Sequence, residues 1–232
     1  MTKYWFAAIA AIAMTFAPAA DTAPDWETLF DGRSFAGWQS ITGRAVPASS
    51  WTIEDGCMRA KPNGRAIEDI RTAKTYRNFE LEVEWRCPRT SNSGIKYLLF
   101  GITEDQTEEG TRARTRGFEY QLAGEEGERK AKAEPKYATG SLYGVIAPSD
   151  PHQRDEGEFN VSRIVVNGSR VEHWLNGGKL LEYSLASSAF AEAFQSNRKQ
   201  APLAKVAWES PIVLQNHNSE FWFRKVRIRP LR

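Results

Sequence analysis

Gly117-Phe118-Glu119-Tyr120-Gln121 is the stretch from which the fold of this chain can be predicted. Read at the two-residue period of a β-strand, its aromatic residues share one face with Leu122, and Glu119 and Gln121 share the other. The apolar face predicts packing against a core, and the polar face places a carboxylate and an amide about 6.6 Å apart, within reach of one ligand. Gly117 would leave room for a close approach. A half-buried strand with a solvated outer face gives the same pattern without chemistry.

Short alternating segments and turn signals extend from this strand in both directions. The predicted elements are a hairpin over 51–59 turning at Asp55-Gly56, strands at 79–85 and 95–100, a meander over 159–183 turning at Asn167-Gly168 and Asn176-Gly177, and a closing hairpin of 212–216 with 221–228. A bulge is expected near Arg224-Lys225, where the alternation changes parity. The charged stretches 101–116 and 124–136 are predicted to be loops, and 187–197 a minor helix. This pattern predicts an all-β sandwich of two antiparallel sheets.

The N-terminal residues 1–20 have the features of a secretion signal. Lys3 is followed by an apolar stretch and then by Ala17-Pro18-Ala19, a small-x-small cleavage pattern. The apolar stretch is too short to span a bilayer. We therefore expect one mature domain over 21–232, exported with the periplasm as its compartment and without a membrane span.

Composition excludes one class of partner and leaves the cysteines open. The 232 residues include 31 Lys and Arg and 29 Asp and Glu, for a formal net charge of +2. Such a balance argues against nucleic acid, which needs a basic face. Cys57 and Cys87 are the two cysteines, and export would permit a disulfide between them, but two separate thiols fit the sequence equally.

Glu80, Glu82 and Glu84 alternate along one predicted strand. Carboxylates spaced in this way could supply the acid and the nucleophile of a conventional glycosidase. A solvated outer sheet face gives the same pattern without catalysis. Glu84 is the exception we single out, because Arg86 follows on the same face and could pair with it.

The three histidines differ in their surroundings. His152 lies in a loop rich in Pro and Asp, which predicts a solvated ring, and His173 shares parity with apolar neighbours, which predicts a core position. His217 follows a predicted strand, where a side chain can reach a cleft at the rim of a sandwich. No HxH or HExxH spacing supports a zinc site, although Glu119 and His217 could form a mixed oxygen and imidazole site. Trp174 is a candidate for stacking on a sugar ring or for ordinary packing.

Several motifs, taken together and in order, resemble a known family. They are the 26–38 segment with its four aromatic residues, Asn92-Ser93-Gly94-Ile95, the 117–121 strand, Asn160 with Asn176-Gly177, and Leu214-Gln215-Asn216-His217 with the strand behind it. This set resembles the bacterial 3-keto-disaccharide hydrolase domain, which has a concanavalin A-like jelly-roll fold. The resemblance covers nearly all of the mature chain.

The resemblance implies cleavage of a glycosidic bond next to an oxidised sugar carbon. In a 3-keto sugar the C2 hydrogen is acidic, so a base can remove it, the C1 substituent can leave, and water can add back. Glu119 and His217 are then the acid/base candidates. Eight further residues are expected to bind the substrate: Gln121, Gln215, Asn92, Asn176, Tyr143, Trp174, Glu84 and Arg86. The family also implies a possible divalent metal that would polarise the keto group, with Glu119 and His217 as ligands.

Two other classes of function remain open from the sequence. A non-catalytic carbohydrate-binding module could share this fold, and would need aromatic and amide groups but no converging Glu119 and His217. A conventional β-glucanase would instead use the carboxylates of the 79–85 strand. The sugar, the leaving group and the oligomeric state do not follow from the sequence.

Overall fold

The structure, a computed structural model, describes residues 25–62, 67–107, 110–197 and 203–231. Within the long hairpin, only the backbone of residues 104–107 and 110–112 is described. The predicted signal segment 1–20 lies outside the described residues.

The described residues form thirteen β-strands, two α-helices and two short 3-10 turns. The strands are β1 (Glu27–Thr28), β2 (Trp38–Ser40), β3 (Trp51–Glu54), β4 (Cys57–Ala60), β5 (Ile70–Thr72), β6 (Phe79–Arg86), β7 (Asn92–Thr107), β8 (Gly110–Ala123), β9 (Asn160–Asn167), β10 (Arg170–Leu175), β11 (Gly178–Ser184), β12 (Val213–Leu214) and β13 (Phe221–Pro230). The helices are α1 (Glu125–Ala131) and α2 (Ser188–Ser196), and the 3-10 turns are Pro135–Tyr137 and Leu203–Lys205.

The strands form two antiparallel sheets, as the alternating pattern predicts. One has eight strands in the order β11-β10-β9-β6-β13-β4-β3, with β1 added beside β13. The other has five strands in the order β2-β5-β12-β7-β8. The Glu119 strand, β8, is therefore an edge strand of the five-stranded sheet.

The core lies between the two sheets and contains the apolar face of β8. Phe118, Tyr120 and Leu122 are each at most 1% exposed. The Phe118 ring packs edge-on against Tyr97 of β7, at 6.0 Å between centroids, and at a tilt against Phe194 of α2, at 5.1 Å. Burying one such side chain stabilises the fold by about 1.5–3 kcal/mol. The predicted register of β8 is confirmed, since Glu119 lies on the opposite face.

The predicted turns and the predicted helix are confirmed. Asp55 and Gly56 both adopt positive φ angles between β3 and β4, the conformation that an Asp-Gly hairpin turn requires. The meander turns of the 159–183 segment join β9, β10 and β11. Ser187 caps α2 by accepting a hydrogen bond from the Phe190 amide at 3.1 Å. A register shift with a positive φ at Lys225 is the expected bulge in β13.

Two connections differ from the prediction. The 101–116 stretch was predicted to be a loop, but it continues β7 and β8 as a long antiparallel hairpin. Backbone hydrogen bonds pair the two strands there although most of their side chains are polar. The predicted closing hairpin is also wrong. β12 pairs with β5 and β7 in the five-stranded sheet, while β13 pairs with β1, β4 and β6 in the other.

A second helix, α1, lies where a charged loop was predicted. It has acidic residues in its first turn, with Arg129 and Lys130 in its last, an arrangement that complements the helix dipole. Ala131 is the one buried residue of α1, so the sequence has no apolar stripe from which this helix could be predicted.

Two histidines and both cysteines have the structural positions that the sequence allowed. His173 is fully buried, its Nδ1 lying 2.8 Å from the Gly140 carbonyl oxygen and its Nε2 2.5 Å from the Tyr97 hydroxyl. Burial lowers the pKa of His173 to about 4, so its ring is neutral. His152 is exposed. Cys57 and Cys87 are free thiols, so the disulfide is not formed.

Candidate active site

A polar cavity of about 440 Å³ opens on the face of the five-stranded sheet that points away from the core. Its walls come from β7, β8, the segment before β5 and the chain that follows β12. The polar residues that line it are Asp69, Asn92, Lys96, Thr103, Arg114, Thr115, Arg116, Glu119, Gln121, Tyr143, Gln215, Asn216 and His217. Six of the ten residues predicted for the site are in this set.

Glu119 lies at the centre of the cavity wall. Gly94, which pairs with Gln121 on the neighbouring strand, lies diagonal to Glu119. A Cβ added there would come within 2.7 Å of the Glu119 Oε1 atom, so the glycine makes room for the carboxylate. No side chain in the described ranges donates a hydrogen bond to that carboxylate. Burial raises the pKa of Glu119, the positive charge of Lys96 opposes the rise, and the negative charge of Asp69 adds to it. The carboxylate therefore combines raised basicity with lone pairs that no described side chain occupies.

Gly117 has a different role from the one expected. A Cβ there would lie 2.5 Å from the Leu99 side chain and 3.0 Å from the Tyr97 carbonyl oxygen. The glycine thus accommodates protein atoms rather than a ligand. The cause is a register shift in β7 between Tyr97 and Gly101, which brings Leu99 over the glycine.

A buried ion pair between Lys96 and Asp69 forms the floor of the cavity. The Lys96 Nζ atom donates to Asp69 Oδ2 at 3.1 Å and to the Thr115 carbonyl oxygen at 3.1 Å. The Thr115 hydroxyl donates to the same Asp69 oxygen at 3.0 Å. The backbone amide of Asn216 donates to the other carboxylate oxygen, Asp69 Oδ1, at 3.0 Å. Each charged side chain is 5% exposed. Neither residue was among those predicted for the site, although a lysine within the apolar run Ile95–Phe100 was a usable signal.

Three amide side chains present polar atoms to the cavity. Gln121 donates from Nε2 to Asn92 Oδ1 at 2.8 Å and to the Leu122 carbonyl oxygen at 3.2 Å. Because a carbonyl can only accept, this contact fixes which end of the Gln121 amide is nitrogen. Its Oε1 atom is buried and has no hydrogen-bond partner among the described residues, and the same is true of the Gln215 Oε1 atom. Both glutamines line the cavity, so small side-chain movements could offer these acceptors to the hydroxyl donors of a sugar.

The chain after β12 is held in a defined position against β7. The backbone of Gln215 forms two hydrogen bonds with β7. Its N–H donates to the Gly94 carbonyl oxygen at 3.0 Å, and its carbonyl oxygen accepts from the Ser93 hydroxyl at 2.7 Å. Asn216 is buried and donates from Nδ2 to the Ser50 and Lys61 carbonyl oxygens, each at 3.1 Å. These contacts position the exposed His217 at the rim of the cavity.

Tyr143 lies next to Glu119 and lines the same cavity. Its amide donates to the Glu119 carbonyl oxygen at 3.0 Å, and its ring packs edge-on against Tyr137 at 5.0 Å. Burial, followed by the nearby Glu119 charge, raises the pKa of the Tyr143 hydroxyl. The hydroxyl therefore remains protonated and can donate a hydrogen bond to a bound ligand.

Four predicted substrate-binding residues lie elsewhere. Asn176 is satisfied within the meander, donating to the His152 carbonyl oxygen and to Asn160 Oδ1 and accepting from the Val161 amide, each at 2.9 Å. Trp174 projects from the outer face of the eight-stranded sheet. From the core side, the Tyr120 hydroxyl donates a hydrogen bond to the Trp174 carbonyl oxygen at 3.0 Å. The Trp174 ring therefore points away from the site.

Glu84 and Arg86 are also on the outer face of the eight-stranded sheet, and they do not pair with each other. Glu84 accepts hydrogen bonds from Arg224 at 2.7 Å and Lys225 at 2.9 Å. Burial opposes ionisation of Glu84, but these hydrogen bonds outweigh it and lower the pKa. The Arg86 guanidinium packs over the rings of Phe159 and Trp222, each at 5.0 Å. Neither side chain reaches the cavity.

The described residues do not fit the divalent metal that the family resemblance implied. They contain no group of three or more His, Cys, Asp or Glu side chains placed to hold a metal ion. Glu119 and His217 supply only two candidate ligands, and Asp69 is occupied by Lys96 and its hydrogen-bond donors.

The fold and the cavity define the protein as a two-sheet β-sandwich with a carboxylate, an imidazole and amides gathered on one sheet face. Residues 25–229 match the family model of the 3-keto-alpha-glucoside-1,2-lyase-like domain, and the chain belongs to this family.

Known relatives are similar over most of the chain. The chain is 30% identical to a 3-keto-disaccharide hydrolase of Bacteroides thetaiotaomicron over 226 residues, which covers 88% of this chain and 78% of the relative. Among solved structures, a Parabacteroides distasonis protein provisionally classed as a glycosyl hydrolase has a TM-score of 0.73 at 27% identity, covering 89% of this chain and 94% of its own. A galectin-like protein of unknown function from Bacillus subtilis, with a TM-score of 0.54 at 10% identity, shows the sandwich fold alone and covers 90% of this chain and 97% of its own.

A membrane span was not expected, and none of the helices in the described part of the chain is long and apolar enough to cross a bilayer.

Proposed function

We propose that the protein cleaves the glycosidic bond of 3-keto-glycosides by removal of the C2 proton, elimination of the C1 substituent and addition of water. The observation that carries the proposal is the Glu119 carboxylate, which lies in the cavity, accepts no hydrogen bond from the described side chains, and shares the cavity with His217. Membership of the family and the name of the Bacteroides relative support the same substrate class.

The first step needs a base that is buried but not neutralised. Glu119 takes the C2 proton, the C–H electron pair forms the C2–C3 double bond, and the carbonyl pair moves to the keto oxygen. The raised pKa of Glu119 brings it closer to that of the carbon acid, and so favours the proton transfer. A positioned general base of this kind contributes about 10²- to 10⁴-fold to the rate.

The second step needs an acid at the leaving oxygen. When the electron pair returns from the keto oxygen, the C3 carbonyl re-forms, a C1–C2 double bond forms and the C1–O bond breaks. His217 is at the exposed rim, where the leaving group departs, and can supply the proton. Water then adds to C1 and a proton returns to C2, which yields a free 3-keto sugar without any oxidant or reductant.

Four polar side chains would orient the sugar ring. The unpaired Oε1 atoms of Gln121 and Gln215 accept hydrogen bonds from hydroxyls, and Asn92 and the Tyr143 hydroxyl can donate. A non-catalytic binding module would need such groups but not the convergence of a carboxylate and an imidazole. The alternative of a β-glucanase loses its carboxylates, because each glutamate of β6 is paired with at least one cation.

The test compares a 3-keto glucoside with its unoxidised parent in D₂O. We expect turnover of the keto substrate alone, with deuterium on C2 of the product, and free 3-keto sugar incubated without protein corrects for spontaneous exchange. Equal cleavage of the parent glucoside would indicate a conventional glycosidase. Binding of either sugar without cleavage would indicate a binding module.

The cellular location is also a proposal. The secretion signal predicted at 1–20 would place the protein outside the cytoplasm, with the periplasm as its compartment and a carbohydrate as its substrate. Detection of the mature chain in the periplasmic fraction of the producing cell, with an N-terminus near residue 20, tests this.

A further inference from the structure

Lys96 is a buried cation on the cavity face of the five-stranded sheet. It lies on β7 between the core residues Ile95 and Tyr97, yet its own side chain points to the cavity. Replacing a buried ion pair with apolar residues is often neutral or stabilising. A lysine and an aspartate retained at such a position therefore suggest a role in function.

The hydrogen bonds of Lys96 leave one donor for a ligand. An ammonium group has three N–H donors. Two of them are used, by Asp69 Oδ2 and by the Thr115 carbonyl oxygen, each at 3.1 Å. No third acceptor among the described residues engages Nζ, which lines the same cavity as Glu119.

Lys96 and Glu119 are direct partners across the β7–β8 pair. Side chains at such positions have Cβ atoms about 4.5–5.5 Å apart on the same face. A cation and a base at this separation can engage adjacent carbons of one ring. In a 3-keto sugar, the acidic hydrogen is on C2 and the carbonyl oxygen is on C3.

We propose that Lys96 is a catalytic residue that donates a hydrogen bond to the keto oxygen and stabilises the enolate, and that Asp69 is the positioning residue that holds its ammonium group. This inference rests on the proposed function. Lys96 remains protonated throughout and forms no covalent bond. The charge that develops on the oxygen when Glu119 takes the C2 proton is lost again when the C1–O bond breaks. Lys96 would thus perform the polarising task for which the family resemblance implied a metal.

The central test uses a double variant, because Lys96→Met alone leaves the Asp69 carboxylate buried without its cation and could unfold the protein. Asp69→Asn combined with Lys96→Met removes both charges. In the folded double variant we expect kcat on the 3-keto glucoside to fall by about 10²- to 10³-fold with a smaller change in KM, as for loss of one oxyanion donor. Arg163→Met, which removes a cation from the outer face of the other sheet, is the matched control.

The outcome separates this inference from the proposed function. If the wild-type protein does not turn over the keto substrate, the proposed function fails and Lys96 has no reaction to assist. If the wild-type protein is active and the folded double variant retains its kcat, the role of Lys96 is wrong and the proposed function stands. Exchange of the C2 hydrogen in D₂O should fall in parallel with kcat, because enolate formation is the step affected.

The pH profile tests whether the charges of Lys96 and Asp69 act on Glu119 in the working enzyme. Lys96 lowers the pKa of Glu119 and Asp69 raises it, so Lys96→Met should move the acid limb of kcat/KM to higher pH, and Asp69→Asn to lower pH. The double variant should show a smaller shift than either. The charged and titratable groups that line the cavity around Glu119 are Asp69, Lys96, Arg114, Arg116, Tyr143 and His217. Unshifted limbs in both folded single variants would contradict the assignment.

Two further measurements address other electrophiles. Turnover that persists after exhaustive chelation supports Lys96 as the polarising group, whereas loss of turnover that added divalent metal restores would overturn it. Mass spectrometry after borohydride treatment with the keto substrate should show unmodified protein. A reduced adduct on Lys96 would show a covalent imine and contradict the proposal.

Discussion

On the outer face of the eight-stranded sheet, Glu80, Glu82 and Glu84 alternate along β6 much as Glu119 and Gln121 alternate along β8 on the cavity face of the other sheet. On β6, every glutamate faces an arginine of β13 across the strand pair. On β8, Glu119 faces a lysine that Asp69 already holds.

The carboxylates of β6 are neutralised by the arginines that face them on β13. Arg224 lies opposite Glu84, Arg227 opposite Glu82, and the third arginine opposite Glu80, and each pair is hydrogen-bonded. On the cavity face the corresponding carboxylate has room beside Gly94 and a raised pKa. The same local pattern therefore serves structure on one sheet and can serve chemistry on the other, and the cross-strand partner makes the difference.

The largest effect is expected when one glutamate on each face is changed in the same way. Glu119→Gln keeps the shape of the side chain and removes the basic site, so turnover of a 3-keto glucoside should fall by at least about 10²-fold while substrate binding persists. Glu82→Gln is the matched control and should keep full turnover. Steady-state kinetics and calorimetric binding measure both variants. Equal turnover by Glu119→Gln and wild type would remove Glu119 from the catalytic role.

His217→Ala should lower turnover by about 10²-fold, the usual contribution of a positioned acid. His152→Ala is the control, because that ring is 82% exposed and lies beside Asp150, away from the cavity. Rates are compared at equal folded content, with substrates whose leaving groups differ in pKa. The defect should be smaller for better leaving groups, and a uniform defect would argue that His217 does not protonate the leaving oxygen.

Gly94→Ala tests whether the room beside Glu119 matters. The new Cβ would come within 3.0 Å of three atoms of the Glu119 side chain, which must move while the fold remains. We expect turnover to fall by about 10-fold or more, because displacing a catalytic group by about 1 Å can cost up to 10²-fold. Gly101→Ala on the same strand meets nothing within 4 Å and should be neutral. Unaltered turnover in Gly94→Ala would show that the carboxylate position is not critical.

The buried ring of His173, in the core between the two sheets, is expected to make the stability of the fold depend on pH. The pKa of His173 is about 4 in the folded protein and near 6.5 when unfolded. Between these values only the unfolded chain binds the proton, so the free energy of unfolding should fall by about 3 kcal/mol as the pH drops from 6.5 to 4. The groups that face the ring are Tyr97, Tyr120, Tyr183 and the Gly140 carbonyl.

Denaturant unfolding at several pH values measures this slope. His173→Gln should flatten it, and His152→Ala, which removes an exposed ring outside the core, is the control. A slope that is unaltered in His173→Gln would assign the acid sensitivity to other groups.

The smallest effect is expected for Trp174→Ala on the outer face. Trp174 donates to Glu172 at 2.7 Å, and Arg163 packs over its ring at 4.0 Å, so its loss should cost about 1 kcal/mol of stability. kcat/KM should remain within about twofold of wild type, since roughly 0.4 kcal/mol or less in the transition state corresponds to such a change. A rise in KM would show that sugars also stack on this face and would weaken the contrast between the two sheets.

Local pattern was enough to predict several features of this protein. The two-residue period of a strand placed Glu119 and Gln121 on one face and the aromatic residues in the core, because backbone geometry alone alternates side chains. Asp55-Gly56 and Ser187 marked a turn and a helix start for similarly local reasons. The motif resemblance predicted the family and the sandwich.

Only the tertiary structure decided which side chains meet. Lys96 finds Asp69 27 residues away, and Glu84 finds Arg224 rather than the nearby Arg86 across 140 residues of sequence. Asn176, predicted to bind a hydroxyl, is instead held within its own meander. Strand order and register determine such partners, and neither can be read from the periodicity of a single strand. The polarity of β8 was therefore determined by its sequence, whereas the freedom of Glu119 to act depends on what the neighbouring strands place beside it.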